Sequence, residues 1–530
     1  MFHNLLHPGK KYFVGLGIVL PYLLLHLFTL SWYPLAHSDE VWLAWLSRAM
    51  VGENFGLQWP DLGATEDFFA LTPRNPHGLK SLYHLVQGFF LQVQWSIVGA
   101  RLPSLLAGLG TLGFWFLGLR NWTGKLALAA WGTGMLALDP WFFAASHFGR
   151  QEIIILFLLI LGFWILSLEN VKPDTRGIWS GLVVGLGVFI HPNSFVVALG
   201  LVPWVWLASE KRVRVLFIYA GILALGAIGG IGLSYALDPQ FLSNYLSLGE
   251  EMGIQPGLLP RLWGFRDFLY KLWNQIEGTY YLPPSQFLLL LGLGGLGVGG
   301  FRTFGRAATL SLLGVGFGIF LIGKYSPPSG LFLVPWIYSL WISGRLRFTK
   351  YARGWTLFLV ILVGVNGFLL GSELIRWYPG QDRTYEVYLE KIGDLLGTEG
   401  RVLANLNTGF AFGPDRLRVW RDFDSLPPRT EETQALPLEE RPLTRFFIEQ
   451  NIRWVVWPVD ELDRIYRERP LWNDVYGNPY RFYPDVVEIL DQYGTQIGEF
   501  SSPWYGIRVL PFQSPEMGRV RVFRVSGLGR

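Results

Sequence analysis

Residues 12–40 read YFVGLGIVLPYLLLHLFTLSWYPLAHSDE, and this stretch decides the fold class. A helix needs about 20 apolar residues to cross the hydrocarbon core of a bilayer, and this run supplies them. A cleavable signal peptide has a core of only about 7–15 residues, so the run reads as an uncleaved first span. It closes on Trp32 and Tyr33, aromatic residues suited to the membrane–water boundary, and Asp39-Glu40 follows shortly after. A carboxylate at mid-bilayer costs about 2.5–3.5 kcal/mol on insertion scales. The acidic pair therefore belongs at or above the interface, just past the end of the span.

The same pattern recurs through the first 370 residues. Of 530 residues 51% are hydrophobic and only 16% charged, against about a quarter charged in a soluble domain. Apolar runs near 12–33, 101–119, 126–145, 152–168, 177–190, 193–208, 214–236, 286–300, 307–322, 329–343 and 355–372 predict an α-helical polytopic membrane protein with about eleven spanning helices. Only His191, Pro192 and Asn193 separate the two runs within 177–208. Trp32, Trp122, Trp179, Trp206, Trp341 and Trp377 flank the runs, as interfacial indoles do. Gly229-Gly230 and Gly294-Gly295 read as places of close helix packing; as phosphate loops they would lie inside a span.

Charge sets the orientation. With the N-terminus cytoplasmic, the inner loops carry Lys10, Lys11, Arg120, Lys125, Lys172, Arg176, Lys211, Arg212, Arg214, Arg302, Arg306, Arg345, Arg347, Lys350 and Arg353. The short outer loops hold little more than Arg150 and Lys324. That asymmetry is the positive-inside pattern of a multi-pass protein, here assigned to the plasma (inner) membrane. The net charge of +4 is thus a record of topology and no sign of a nucleic-acid partner. The absence of cysteine excludes disulfides, thiolate metal sites and cysteine nucleophiles.

An odd number of spans places the tail outside. The expected division is a membrane module, 1–377, with outer loops 34–100 and 237–285, and an extracytoplasmic soluble α/β domain, 378–530. The first loop holds helical-looking stretches at 40–51 and 78–95, and the second an amphipathic stretch around Arg266–Gln275, suited to lying in the interface. In the tail, Val402–Leu406, Trp454–Trp457 and Val520–Val525 are β-like, 443–451 and 485–494 are helix-like, and Ser425–Pro442 reads as a surface loop.

Serine-hydrolase and P-loop motifs and paired zinc-binding histidines are absent, which leaves the outer-face charges as candidates. Alone, Ser38 and Asp39 read equally well as caps for a helix at 40–51. Arg150 and Lys324 suit span ends that snorkel to headgroups, Lys80 an interfacial anchor, and Glu152 the N-terminus of the fourth span. His26, His147 and His191 read as structural. Taken together, however, these segments form an ordered set. A first span leads to Asp39-Glu40 and an aromatic-rich helix ending Ser47-Arg48-Ala49-Met50. Lys80-Ser81-Leu82-Tyr83-His84, Arg101-Leu102-Pro103-Ser104, Asp139-Pro140 through His147, Arg150 and Glu152, and Lys324-Tyr325 through Pro335 follow in order.

This set resembles the GT-C superfamily of glycosyltransferases, in its protein O-mannosyltransferase and lipid A aminoarabinose transferase branch, over residues 11–370. Two prolines of the branch's Lys-Pro-Pro-Leu-Tyr segment are missing here, and Glu152 stands where an Asp is commoner. The resemblance implies an inverting glycosyltransferase working at the outer membrane face on a polyprenyl-phosphate sugar donor held by the bilayer. The acceptor is a protein, lipid or glycan. Such a donor carries its own good leaving group, so a base for the acceptor and cations for the phosphate suffice. Asp39 is then the expected base and Glu40 an orienting group, with Lys80, Arg150, Glu152 and Lys324 at the phosphate or sugar. Some members of the superfamily bind a divalent metal, for which Asp39 and Glu152 are the carboxylates in place. The competing class is a membrane transporter or lipid flippase. Such proteins place ionisable groups at the midplane and carry internal repeats, neither of which this sequence shows.

Overall fold

The computed structural model describes residues 8–52, 78–192, 194–243, 246, 257–274, 285–299, 303–323, 327–413, 415–458, 482–502, 504 and 518–528. They fall into two compact units. One, the membrane unit, takes the described residues of Met1–Leu30, Pro76–Gln87 and Arg101–Ile375. The other takes those of Ser31–Asn75, Gly88–Ala100 and Arg376–Arg530. The sequence expectation placed all of 34–100 in the membrane module; the second unit instead gathers two parts of that loop with the tail.

The helices in chain order are α1 (Pro8–Thr29), α2 (Ser38–Val51), α3 (Ser81–Val93), α4 (Ile97–Thr123), α5 (Leu126–Ala137), α6 (Pro140–His147), α7 (Glu152–Leu166) and α8 (Pro173–Leu186). They continue as α9 (Ser194–Leu207), α10 (Arg212–Leu237), α11 (Leu258–Asn274), α12 (Ser285–Gly299), α13 (Thr303–Ile322), α14 (Val334–Arg347) and α15 (Ala352–Trp377). A helix stands at each predicted apolar run, yet the count of eleven spans is not reproduced. Among the described residues four helical stretches can cross a bilayer by length and composition: α4, α10, α13 and Thr349–Trp377. The pair α6 and α7, bent by 115°, makes a fifth if taken as one span. Val19–Thr29 of the first run, Leu126–Ala137, Val197–Leu207 and Gln286–Val298 are apolar but shorter.

At the third run the chain breaks. The sequence reads as one apolar stretch from 126 to 145, but Asp139 ends it: its Oδ1 accepts the N–H groups of Trp141 and Phe142, both at 2.9 Å, with Pro140 at the first helical position. A new helix starts there. The Asp139 Oδ2 also accepts from the Tyr338 hydroxyl at 2.7 Å, and Asn366 donates to that hydroxyl. This buried network ties α14 and α15 to the start of α6.

Packing among the helices uses small residues. A Cβ on Gly226 of α10 would lie 2.8 Å from the Gly185 carbonyl of α8, so glycine permits the close approach. Gly230 and Gly295 pack likewise against Val188 and Leu340. Arg176, expected simply as an inner-loop charge, is buried and donates to the carbonyls of Leu166 and Ala208, closing the C-terminal ends of α7 and α9.

The tail holds α16 (Tyr385–Leu395), α17 (Pro442–Glu449) and α18 (Tyr483–Tyr493). With them go β1 (Arg401–Ala404), β2 (Leu417–Val419), β3 (Ile452–Pro458), β4 (Gly494–Ser501) and β5 (Arg519–Val525). The sheet order is β2-β1-β3-β5-β4. β1 runs parallel to both β2 and β3, with Val402 opposite Leu417 and Trp454, while β5 is antiparallel to β3 and β4. Leu403, Val455 and Trp457 pack with Phe447, Ile489 and Leu490 in one core. The α/β expectation holds for three strands and two helices within a few residues of their predicted ends. β4 was missed because it is a mostly exposed edge strand with no apolar alternation, and β2 because it is three residues long. The stretch expected as a surface loop, 425–442, contains a short helix, Glu431–Ala435, and is tied down by Arg429 and Arg441 on the buried Asp485 at 2.9 and 3.0 Å.

Candidate active site

The second unit presents Asp39 on the first turn of α2. That helix starts two residues earlier than predicted, and neither Ser38 nor Asp39 is its cap. His37 is: its Nδ1 accepts the Asp39 backbone N–H at 3.0 Å, and Glu40 Oε2 in turn accepts the His37 backbone N–H at 3.0 Å. This is a reciprocal capping box with an imidazole in the place usually taken by Ser or Thr. The arrangement separates the two carboxylates. Glu40 is fully buried and holds the helix end, while Asp39 keeps 27% of its side chain exposed. One oxygen of Glu40, expected to orient acceptor or metal, is thus engaged at the helix end. Asp39 Oδ1 lies 3.6 Å from His37 Nδ1, a nitrogen already used as an acceptor.

The membrane unit presents Arg150 and Glu152 at the break between α6 and α7. Arg150 grips Glu152 in a fork, Nε to Oε2 at 3.3 Å and Nη2 to Oε1 at 2.9 Å. The break is pinned from far along the chain. The Tyr83 hydroxyl donates to the Gly149 carbonyl at 2.6 Å, and Ser104 Oγ donates to the Arg150 carbonyl at 3.2 Å. Arg101, fully buried, donates to the Leu30 carbonyl beyond the end of α1 at 2.9 Å. Two of the motifs singled out in the sequence thus converge on the backbone that carries Arg150.

Beside the pair lies a small open pocket. Arg150 and Glu152 line it together with Trp141, Ala144, Ala145, Phe148, Pro328 and Leu331. The Trp141 ring fits against Gly330, where a Cβ would come within 2.3 Å of the indole. The pocket therefore joins apolar walls to one forked ion pair. Trp141 and Gly330 lie in two of the outer-face segments singled out in the sequence, but nothing there showed that they meet.

Lys80 ends a short 3-10 turn, Gly78–Lys80, in the membrane unit and is half-buried. Lys324 lies outside the described residues. Asp39 and Glu40 belong to one compact unit, Lys80, Arg150 and Glu152 to the other. Among the described residues no three His, Asp or Glu side chains are grouped to hold a metal ion, and both oxygens of Glu152 are engaged by Arg150. The buried His147 bridges Thr29 Oγ1 and the Phe143 carbonyl and stacks on His26 with ring centroids 4.1 Å apart, which fits a packing role.

No protein-family profile and no curated protein sequence matches this chain. Solved structures do. The transferase ArnT of Cupriavidus metallidurans, crystallised with undecaprenyl phosphate, is similar over 99% of both chains, with a TM-score of 0.54 and 13% identity. The oligosaccharyltransferase of Archaeoglobus fulgidus, crystallised with zinc and sulfate, is similar over 92% of this chain and 72% of its own, with a TM-score of 0.50 and 12% identity. Both are GT-C membrane glycosyltransferases, so the fold expected from the sequence motifs is the fold this chain has.

Proposed function

We propose that the chain is an inverting glycosyltransferase that takes a sugar from a polyprenyl-phosphate donor and passes it to a protein, lipid or glycan acceptor. The work is done at the outer face of a plasma membrane, with the N-terminus cytoplasmic and the tail outside. The observation that carries this reading is the pocket of the membrane unit. Its apolar wall suits an isoprenoid chain, and the guanidinium at its edge suits a phosphate. The undecaprenyl phosphate bound by ArnT, a protein of the same fold, supports the donor class.

In this mechanism the acceptor oxygen or nitrogen attacks the anomeric carbon from the face opposite the phosphate. Its bond to that carbon forms as the carbon–oxygen bond to phosphate breaks, and the electron pair leaves with polyprenyl phosphate. Asp39, with 27% of its side chain exposed, takes the acceptor's proton. Arg150 stabilises the departing phosphate, with Glu152 holding its fork in place, and Lys80 and Lys324 add point charges.

The test is sugar transfer in isolated membranes with a panel of labelled polyprenyl-phosphate hexoses and pentoses, comparing the native chain with Asp39→Asn. Loss of about a hundredfold in rate at equal expression is expected for removal of a general base. Equal rates would remove Asp39 from the chemistry. Consumption of no donor by the native chain would overturn the transferase reading in favour of a transporter or flippase.

A further inference from the structure

The tail contains a second polar site that this reaction does not use. β1 ends at Ala404, and the chain turns through Asn405 into a 3-10 stretch, Leu406–Phe410. β1 pairs in parallel with β2 on one side and β3 on the other, so the strand order reverses beside it. In α/β sheets the carboxyl ends of strands at such a switch point form the crevice that takes ligands. Asn405 and Asn407 occupy that end, 2% and 4% exposed. The Oδ1 of each has no hydrogen-bond donor among the described residues. The Asn407 amide is fixed by its other end, since Nδ2 donates to the Trp504 carbonyl. Buried acceptors of this kind are met in native proteins by water or by a ligand.

The same loop packs on the helix that carries Asp39. The Phe410 ring lies 4.9 Å from Trp95, and both rest against Ala44 of α2, with Arg48 placed 4.6 Å from the centre of the Trp95 ring. Ala44 follows Asp39 by about 8 Å along the helix axis, at 1.5 Å per residue.

We propose that the loop Asn405–Phe410 is a saccharide subsite that holds the acceptor; its role in transfer, though not its binding, rests on the glycosyltransferase reading. Two neutral amide oxygens accept hydroxyl protons, and Asn405–Phe410 contains no charged residue to attract an ionic group. The half-buried ring of Phe410 offers an apolar surface to sugar C–H groups. A sugar ring meets both demands at once. A peptide brings as many carbonyl acceptors as N–H donors to a loop whose unmet groups are acceptors.

The experiment uses the full chain in a detergent without a sugar headgroup. Tryptophan fluorescence is read while neutral di- and trisaccharides of glucose, galactose, mannose and N-acetylglucosamine are titrated to their solubility limits. At least one saccharide is expected to bind. Asn405→Leu/Asn407→Leu is expected to weaken it by about tenfold, the worth of two modest neutral hydrogen bonds. Asn405→Leu alone, which spares the bond to Trp504, gives a smaller loss in the same direction and serves if the double variant unfolds. In transfer assays the acceptor KM rises by a similar factor while donor hydrolysis in the absence of acceptor is unchanged. Failure of every saccharide to bind the native chain, or equal binding by the variants, overturns the subsite and leaves water as the partner of the two amides. Transfer to a peptide without competition by saccharides overturns it as well. Saccharide binding that the variants lose, in a chain that consumes no donor, sustains the subsite and removes the transferase reading.

Discussion

Glu40 and Asp39 are neighbours with the same charge but different burial, and the roles proposed for them can be separated by substitution. Glu40 is fully buried and accepts the His37 backbone N–H at 3.0 Å. Glu40→Ala removes a charged acceptor and strands a buried N–H at the helix terminus. Hydrogen bonds to charged groups are worth about 1.5–3 kcal/mol and lost caps about 0.5–2 kcal/mol, so a loss of about 2 kcal/mol in stability is expected. That is roughly a thirtyfold shift in the unfolding equilibrium. Glu40→Gln keeps an acceptor oxygen on a side chain of the same length, and about half of the loss is expected to return, at about 1 kcal/mol each way. The readouts are thermal unfolding of the detergent-solubilised chain by tryptophan fluorescence and the transfer rate of the folded fraction. Glu40→Gln retains most of its transfer rate at temperatures where it is folded, whereas Asp39→Asn unfolds like the native chain and loses about a hundredfold in rate. The reasoning is refuted if Glu40→Gln, still folded, loses as much activity as Asp39→Asn, because Glu40 would then act on the substrate.

Four further outcomes are expected. Arg150→Gln leaves the buried Glu152 without its fork and destabilises the membrane unit by about 3–5 kcal/mol, while Arg150→Gln/Glu152→Gln recovers stability but not transfer; unfolding curves and rates on both variants check this. Gly330→Val drives the Trp141 indole towards the pocket, so donor KM rises by about tenfold in a folded chain; an unchanged KM means the donor does not use this pocket. Because the chain has no cysteine, single replacements report topology directly: Lys172→Cys is labelled by an impermeant maleimide only after the cytoplasmic side is opened, and Asp382→Cys in intact cells. Finally, the hydrogen bond from Tyr493 at 2.5 Å holds the Glu439 carboxyl below its ordinary range. Its stabilisation is present above that range and lost as pH falls through the lowered value, so the difference in melting temperature between the native chain and Tyr493→Phe shrinks on acidification below about pH 4.

What the sequence by itself determined is what hydrophobicity and charge order determine. Helices stand at all the apolar runs, because burial of a backbone in lipid leaves the helix as the local solution. The ordered outer-face motifs led to the GT-C fold, which the solved structures bear out. The β-like runs of the tail were legible where both faces are buried, as in Val402–Ala404, and illegible in the exposed edge strand β4. The span count is not confirmed, and hydropathy, which sums apolar residues, does not see Asp139 cap a new helix or the 115° bend that follows.

The site depended on tertiary structure for the same reason. Sequence could name Asp39, Glu40, Arg150 and Glu152 as charges near a membrane face; tertiary structure adds how far each is buried and what it touches. Glu40 spends its carboxylate on the helix terminus, Glu152 on Arg150, and Asp39 keeps a partly exposed one. The Arg150 backbone is held by Ser104 and its neighbour Gly149 by Tyr83, residues more than forty positions away along the chain. The amides of Asn405 and Asn407 carry no signature in a string of letters. Their unmet oxygens exist only once the strand ends, the loop closes and the core around it excludes water.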